Sequence, residues 1–218
     1  MSGCITEKII KPSRCVLAFG IPTCKKDFFE DQKSDNKDFA KLFKKNWSLY
    51  YDQVIFYLEQ LEQQISQPGA TIIKKLTLSN FGQLLSNKKF DVVILFSHWK
   101  ENSVEFYDGL QTTSKIINEV PTEFSGIIDL CVCNPKELRI ALDIERPNCV
   151  VKFADKEELP FFWLNFYRIL FKYLQQKNKN YIEAVDIILE TFNKDKKELY
   201  YEKIRKCIQR LFRKSRNV

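Results

Sequence analysis

"VVILFSHWKE", residues 92–101, carries the only histidine of the chain, His98, at the end of an apolar run. A second apolar run, "GIIDLCVCNP" at residues 126–135, ends on two cysteines, Cys131 and Cys133. The first run scarcely alternates between apolar and polar residues, which is typical of a parallel strand covered on both faces. We therefore expect both runs to be core strands of one mainly parallel sheet.

Strand patterns alternate with helix patterns along the rest of the chain. Apolar residues recur at three- and four-residue steps between residues 38 and 66, which predicts one long amphipathic helix, and the polar stretch 25–38 predicts a loop. The alternation indicates an α/β fold with helices on both faces of the sheet. The predicted strands cover residues 15–21, 71–78, 90–97, 126–133 and 148–155, with a hairpin over 103–110. The other predicted helices cover residues 80–86, 113–121, 159–174, 181–192 and 199–212, and one more starts after residue 134.

The size and composition of the chain limit the class of protein. Its 218 residues suit one domain, or one domain with a helical appendage. No apolar run approaches the roughly 18 residues that span a bilayer, and the N-terminus lacks the layout of a signal peptide. We expect a cytoplasmic protein that does not contact membranes.

The seven cysteines and the single histidine argue against a metal site. Scattered cysteines in a cytoplasmic protein are expected to be reduced. The chain has no Cys-x-x-Cys pair, and one histidine cannot complete the usual zinc-binding spacings. The sequence therefore predicts that no metal is bound.

The net charge of +7 is concentrated towards the C-terminus, where residues 193–218 predict a basic helix. Such a helix could bind nucleic acid or an acidic partner. It could equally be a solvated helix face, which is the interpretation that we favour.

The two core strands predict a catalytic pair. Parallel sheets place their sites at the carboxyl ends of strands, where His98 and Cys133 both fall. A cysteine nucleophile needs a thiolate and a proton acceptor, which histidine supplies. Asn134 as helix N-cap, Pro135 at the first helical position and Glu137 closing a capping box would place Cys133 just before a helix N-terminus. The dipole and N–H groups of that terminus would lower the thiol pKa and help to hold an oxyanion.

The same segments resemble the caspase-like cysteine peptidases, and most closely their bacterial CHAT branch, over about residues 70–190. In that family one apolar strand ends in His-Gly and the following core strand ends in a small residue and Cys, which correspond here to "VVILFSHW" and "IIDLCVC". The resemblance implies a three-layer caspase-like domain over residues 1–192, with the basic helix 193–218 packed on it. It also implies an endopeptidase with His98 and Cys133 as a dyad, no cofactor, a protein or peptide substrate and a regulatory protein partner, in bacterial signalling or defence.

One position departs from the family pattern, and a second leaves the identity of the nucleophile open. Trp99 stands where the family has the glycine whose backbone N–H lines the oxyanion hole. Cys131 is an alternative nucleophile, because "IIDLC" also fits the Asp-x-Cys variant of metacaspase-like relatives, with Asp129 as the acid. Alternation along a strand points Asp129, Cys131 and Cys133 to one side. Asp129 either orients a substrate or is paired within the protein, and we favour Cys133 as nucleophile because it adjoins the predicted cap.

Other functions stay open at the level of sequence. The same fold without catalysis would serve as a scaffold or binding module. A flavodoxin-like nucleotide-binding domain is disfavoured, because no glycine-rich loop follows the first strand, in "AFGIPTCKK". The loops expected to form a specificity pocket contain residues of both charges, so the sequence does not indicate the preferred substrate side chain. Those residues are Lys25, Lys26, Asp27, Asp155, Lys156, Glu157 and Glu158.

Overall fold

The computed structural model describes residues 5–65, 69–153 and 158–195. The strands are β1 (Cys15–Phe19), β2 (Thr71–Ile73), β3 (Val92–Phe96), β4 (Trp99–Lys100), β5 (Ser103–Phe106), β6 (Gly109–Thr112), β7 (Ile127–Cys131) and β8 (Val150–Phe153). The α-helices are α1 (Lys25–Asp31), α2 (Trp47–Tyr50), α3 (Phe56–Ile65), α4 (Leu78–Ser86), α5 (Thr113–Glu119), α6 (Lys136–Glu145), α7 (Pro160–Lys177) and α8 (Tyr181–Asp195). Among the residues described, no helix combines the length and apolar character of a bilayer span.

A five-stranded sheet in the order β2-β1-β3-β7-β8 forms the centre of the molecule, and all of its strand pairs are parallel. Side chains on β3 alternate between two buried clusters: Val92, Ile94 and Phe96 face one, and Val93 and Leu95 face the other. Helices α3, α7 and α8 complete the first cluster, and α4, α5 and α6 complete the second. The prediction of an α/β fold with helices on both faces of a mainly parallel sheet is confirmed.

A separate three-stranded antiparallel sheet, β4-β5-β6, follows directly after β3. Residues Glu101 and Asn102 join β4 to β5 with φ of 47° and 62°, the two positive values that a type I′ hairpin turn requires. Gly109 begins β6 with φ of 117°, a conformation that glycine adopts without a Cβ clash. The predicted hairpin over 103–110 is confirmed, and it has a third strand that the sequence analysis did not predict.

The prediction of one helix over residues 38–66 is wrong at its start. Residues Phe39–Phe43 form a 3₁₀ turn, and Lys44 and Lys45 then take positive φ, which breaks the helical path. The side chain of Asn46 accepts a hydrogen bond from the Leu49 N–H at 3.0 Å, and the helix begins there. It continues through a π-helical stretch over Tyr51–Ile55 into α3.

The prediction of a loop over residues 25–38 is also wrong, because α1 forms inside it. Phe28 packs in the first core cluster, and Asp27 and Asp31 are buried beside it on one helix face. Lys75 Nζ lies 2.9 Å from Asp27 and Lys37 Nζ lies 2.8 Å from Asp31. These pairs allow acidic residues to face inwards, which a polar sequence alone does not indicate.

The last predicted elements lie at the edge of the described chain. Helix α8 extends to Asp195, three residues beyond the predicted domain boundary at 192. The predicted basic helix over residues 199–212 lies outside the described residues, as do residues 155–157 of the predicted specificity loops.

Candidate active site

The candidate site lies at the carboxyl ends of β3 and β7. The two strands are register partners through Phe96 and Cys131, and the Ser97 N–H donates to the Cys131 carbonyl at 3.1 Å. His98 and Cys133 each come two residues after that register pair. Sequence reasoning therefore assigned both residues to the correct edge of the sheet, just beyond adjacent strands.

His98 packs against the segment of Asp38 and Phe39, which lies between α1 and α2 in the chain. Its Nε2 lies 3.3 Å from Asp38 Oδ2, and its ring centroid lies 5.4 Å from that of Phe39. Only 12% of the His98 side chain is exposed, and this burial lowers its pKa below 6.5 despite the opposing effect of Asp38. The imidazole is therefore neutral at pH 7, the form that accepts a proton.

Asp38 also binds a cation, Lys100 from β4. Lys100 Nζ lies 2.8 Å from Asp38 Oδ1, on the carboxylate oxygen that does not face His98. Partial burial opposes ionisation of Asp38, but the hydrogen bonds and charges of Lys100 and His98 outweigh it and lower its pKa. The site therefore contains an ionised carboxylate next to a neutral imidazole.

Glu105 on β5 fixes the backbone of the same segment. Its Oε2 accepts the N–H groups of Asp38 and Phe39, each at 2.8 Å, and its side chain is fully buried. Burial raises its pKa to about 7, although these two hydrogen bonds favour the ionised form. Sequence patterns do not single out Asp38, Lys100 or Glu105, because an isolated Asp and a Glu within a hairpin ordinarily face water.

The two candidate nucleophiles differ in their surroundings. Cys131 is 7% exposed and faces the first core cluster. Burial, assisted by the charge of Asp129, raises the pKa of the Cys131 thiol well above its ordinary range. Cys133 is partly exposed, beyond the end of β7. Because a nucleophile needs both access and a thiolate, these environments favour Cys133.

The predicted helix cap next to Cys133 is wrong. Strand β7 ends at Cys131 and α6 begins at Lys136. Asn134 takes a left-handed conformation with φ of 49°, and Pro135 occupies the N-cap position with no side-chain cap hydrogen bond. Proline offers no side-chain acceptor, so the capping box with Glu137 does not form. The helix N-terminus is thus three residues from Cys133.

Asp129 has its partners inside the core. It is 5% exposed, and Tyr181 Oη donates a hydrogen bond to its Oδ2 at 2.6 Å. Burial raises the pKa of Asp129 to about 6, against the effects of Tyr181 and Lys152. A cavity of about 10 Å³ lies beside Asp129 and Cys131, which is room for a single water molecule. These contacts favour pairing within the protein over orientation of a substrate.

Trp99 directs its side chain away from the first cluster. The ring packs against the second core cluster, on the other face of the sheet from Cys131. Trp99 is the register partner of Val104, and the neighbouring ladder hydrogen bond runs from the Glu105 N–H to the His98 carbonyl. In an antiparallel ladder this arrangement turns the Trp99 N–H away from β5. The Trp99 N–H therefore points away from the β4–β5 ladder.

Other sites and relatives add nothing to this geometry. Within the described ranges, no group of three or more His, Cys, Asp or Glu side chains is placed to hold a metal ion. No protein-family model matches the chain, and no curated protein matches it.

Proposed function

We propose that the chain is a caspase-like cysteine endopeptidase in which Cys133 is the nucleophile and His98 is the general base and acid. One observation carries the proposal: the two residues follow adjacent parallel strands at matched positions, set by the pairing of Phe96 with Cys131. The neutral state of His98 and the partial exposure of Cys133 support it. The substrate in this proposal is a cytoplasmic protein or peptide.

The proposed reaction has two steps. His98 takes the Cys133 thiol proton as the sulfur attacks the carbonyl carbon of the scissile bond, and the oxyanion accepts hydrogen bonds from backbone N–H groups that include Trp99. The C–N bond then breaks, and His98 returns the proton to the leaving amine. Water, deprotonated by His98, hydrolyses the thioester and releases the acid and the free thiol.

The resemblance to the CHAT branch extends the proposal to regulated proteolysis in bacterial signalling or defence. In this setting a regulatory protein would bind the peptidase and control access to the site. The packing of Phe39 and Asp38 against His98 supports such control, because it limits the open space around the imidazole.

A catalytically inactive scaffold is the second candidate. One observation favours it: α6 begins at Lys136, three residues after Cys133, and not directly next to it. Without a helix N-terminus next to the sulfur, the thiol loses one source of a lowered pKa. In this alternative the fold binds a protein partner and Cys133 does not act as a nucleophile.

A peptidyl chloromethyl ketone distinguishes the two functions. Wild type is expected to be alkylated at pH 7 on Cys133, as located by mass spectrometry of tryptic peptides. Cys133→Ala should abolish this labelling, and His98→Ala should slow it by about 10²-fold or more. Cys131→Ala should label at the wild-type rate, because that thiol is buried.

Cys24 provides the control, since it is also partly exposed and stands at the N-cap of α1, next to a helix N-terminus that Cys133 lacks. Cys24→Ala should be labelled like wild type. If Cys133→Ala is labelled as fast as wild type, the nucleophile is wrong. If no cysteine reacts faster than free cysteine at pH 7, the scaffold function is the better one.

A further inference from the structure

Asp38 and His98 meet although 60 positions separate them in the sequence. We propose that Asp38 is a positioning residue that fixes the His98 ring in the Nε2–H tautomer, and thereby completes a Cys133–His98–Asp38 triad. The inference rests on the proposed function, because the triad has meaning only if His98 acts on Cys133.

The carboxylate dictates the tautomer. An ionised carboxylate only accepts hydrogen bonds, so the His98 nitrogen that faces Asp38 Oδ2 must carry the proton. That nitrogen is Nε2, at 3.3 Å, which leaves the lone pair of the neutral ring on Nδ1. Lys100 keeps Asp38 ionised by binding its other oxygen at 2.8 Å. The base that remains for a thiol proton is therefore Nδ1.

The backbone of Asp38 is anchored independently of its side chain. Glu105 Oε2 accepts the N–H groups of Asp38 and Phe39, and Phe39, Ala40 and Phe43 are buried in the first core cluster. A segment with this much buried apolar surface is a fixed support and not a mobile lid. Asp38 is therefore already in place next to the His98 ring before the reaction begins, as a positioning role requires.

The charges around His98 predict the direction in which its pKa changes when each charged neighbour is substituted. Burial and Lys100 disfavour the imidazolium, and Asp38 favours it. Loss of the Asp38 charge should thus lower the pKa of His98, and loss of the Lys100 charge should raise it. If Asp38 and Lys100 only stabilised the fold, their substitutions would not shift the pKa of His98 in opposite directions.

The single histidine makes the experiment direct, because every imidazole NMR signal belongs to His98. Two-bond ¹⁵N–¹H spectra of the histidine-labelled protein are expected to show the Nε2–H tautomer in wild type at pH 8. Asp38→Asn should lower the pKa of His98 and mix the tautomers. Lys100→Gln should raise that pKa.

Asp35→Asn is the matched control, since it removes the same charge three residues earlier at an exposed position. Thermal melting checks that each variant folds. The rate at which iodoacetamide alkylates Cys133, followed from pH 5 to pH 9, should shift its midpoint in Asp38→Asn and not in Asp35→Asn.

An Nδ1–H tautomer in wild type overturns the inference, and so does a His98 pKa that moves no further in Asp38→Asn than in Asp35→Asn. Neither result depends on labelling by the peptide probe. An unreactive Cys133 together with the expected NMR shifts would instead remove the peptidase and leave Asp38 as the partner that sets the state of His98.

Discussion

Tyr181 on α8 donates a 2.6 Å hydrogen bond to Asp129, a carboxylate in the middle of β7 and in the core of the protein. The pair links α8 to β7, an internal strand of the five-stranded sheet. A buried carboxylate that loses a hydrogen-bond partner is still desolvated, and the cost of that desolvation is no longer offset. Loss of this hydrogen bond should therefore reduce the stability of the fold more than loss of an exposed one.

Tyr181→Phe removes this hydrogen bond and keeps the ring. We expect the free energy of unfolding to fall by about 1–3 kcal/mol, measured by urea denaturation at pH 7. Tyr51→Phe is the control: its hydroxyl lies 2.9 Å from Glu59 on the surface, and its removal should leave the urea midpoint unchanged. Equal effects of the two substitutions would contradict a special role for the buried pair.

Asp91 should make the protein sensitive to acid. Arg14 donates two hydrogen bonds to it, at 2.7 and 2.9 Å, and Lys8 donates one at 2.8 Å, which together lower its pKa. A lowered pKa contributes stability above the unfolded value of 3.8, and this stability is lost as the pH falls through the folded value. Asp91→Asn should therefore lose about 2 kcal/mol at pH 7, and the difference from wild type should shrink below pH 4.

Glu62→Gln serves as its control in the same urea titrations. Glu62 lies 2.7 Å from Lys74, but both side chains are substantially exposed, so the pair contributes about 0–1 kcal/mol. A pH-independent difference between Asp91→Asn and wild type would show that Asp91 acts through packing and not through charge.

Glu105 should act in the opposite direction. Its folded pKa of about 7 exceeds the ordinary 4.5, so between these values the folded state holds a proton that the unfolded state has released. Its contribution is thus fully present below pH 4.5 and is lost as the pH rises through 7. Glutamine does not titrate, so Glu105→Gln should not lose this stability as the pH rises. The free energy of unfolding of the variant, relative to wild type, should therefore increase from pH 5 to pH 8.

The exposed Glu30 on α1 is the control for that substitution. Glu30→Gln should show the same stability relative to wild type at pH 5 and at pH 8. If Glu105→Gln behaves in the same way, Glu105 does not titrate in this range.

The type I′ turn that joins β4 to β5 offers a stabilising substitution. Asn102 has φ of 62°, a value that glycine adopts more readily. Asn102→Gly should raise the melting temperature modestly, since compatible turn substitutions are worth about 0.5–1 kcal/mol. Asn102→Val, with a branched Cβ at positive φ, should lower it, and the reverse order would contradict the turn type.

The parallel core could be predicted because its signals are local. The apolar runs that became β3 and β7 specify buried strands, and parallel pairing then brings their carboxyl ends, with His98 and Cys133, to one edge. The nucleophile assignment depended on an expected cap at Asn134. That cap does not form, and the preference for Cys133 now depends on the burial of Cys131.

The surroundings of His98 could not be predicted, because they depend on contacts between distant residues. Asp38, Lys100 and Glu105 come from three different segments, and each looks solvent-exposed in its own sequence context. Helix α1 was missed for the same reason: Asp27 points inwards only because Lys75, far along the chain, is there to pair with it.

The contrast between the two sheets has a consequence for folding kinetics. Every pair in the five-stranded sheet is parallel and needs a long crossover, whereas β4, β5 and β6 are joined by short turns. Hairpins close in about 1–10 μs, and parallel pairing is intrinsically slow. The strand that carries Glu105 should therefore form before the segment of Asp38 that it binds. Asn102→Gly acts on the fast event and should leave the observed refolding rate unchanged, because the slow parallel pairing of the large sheet sets how soon His98 acquires its partner.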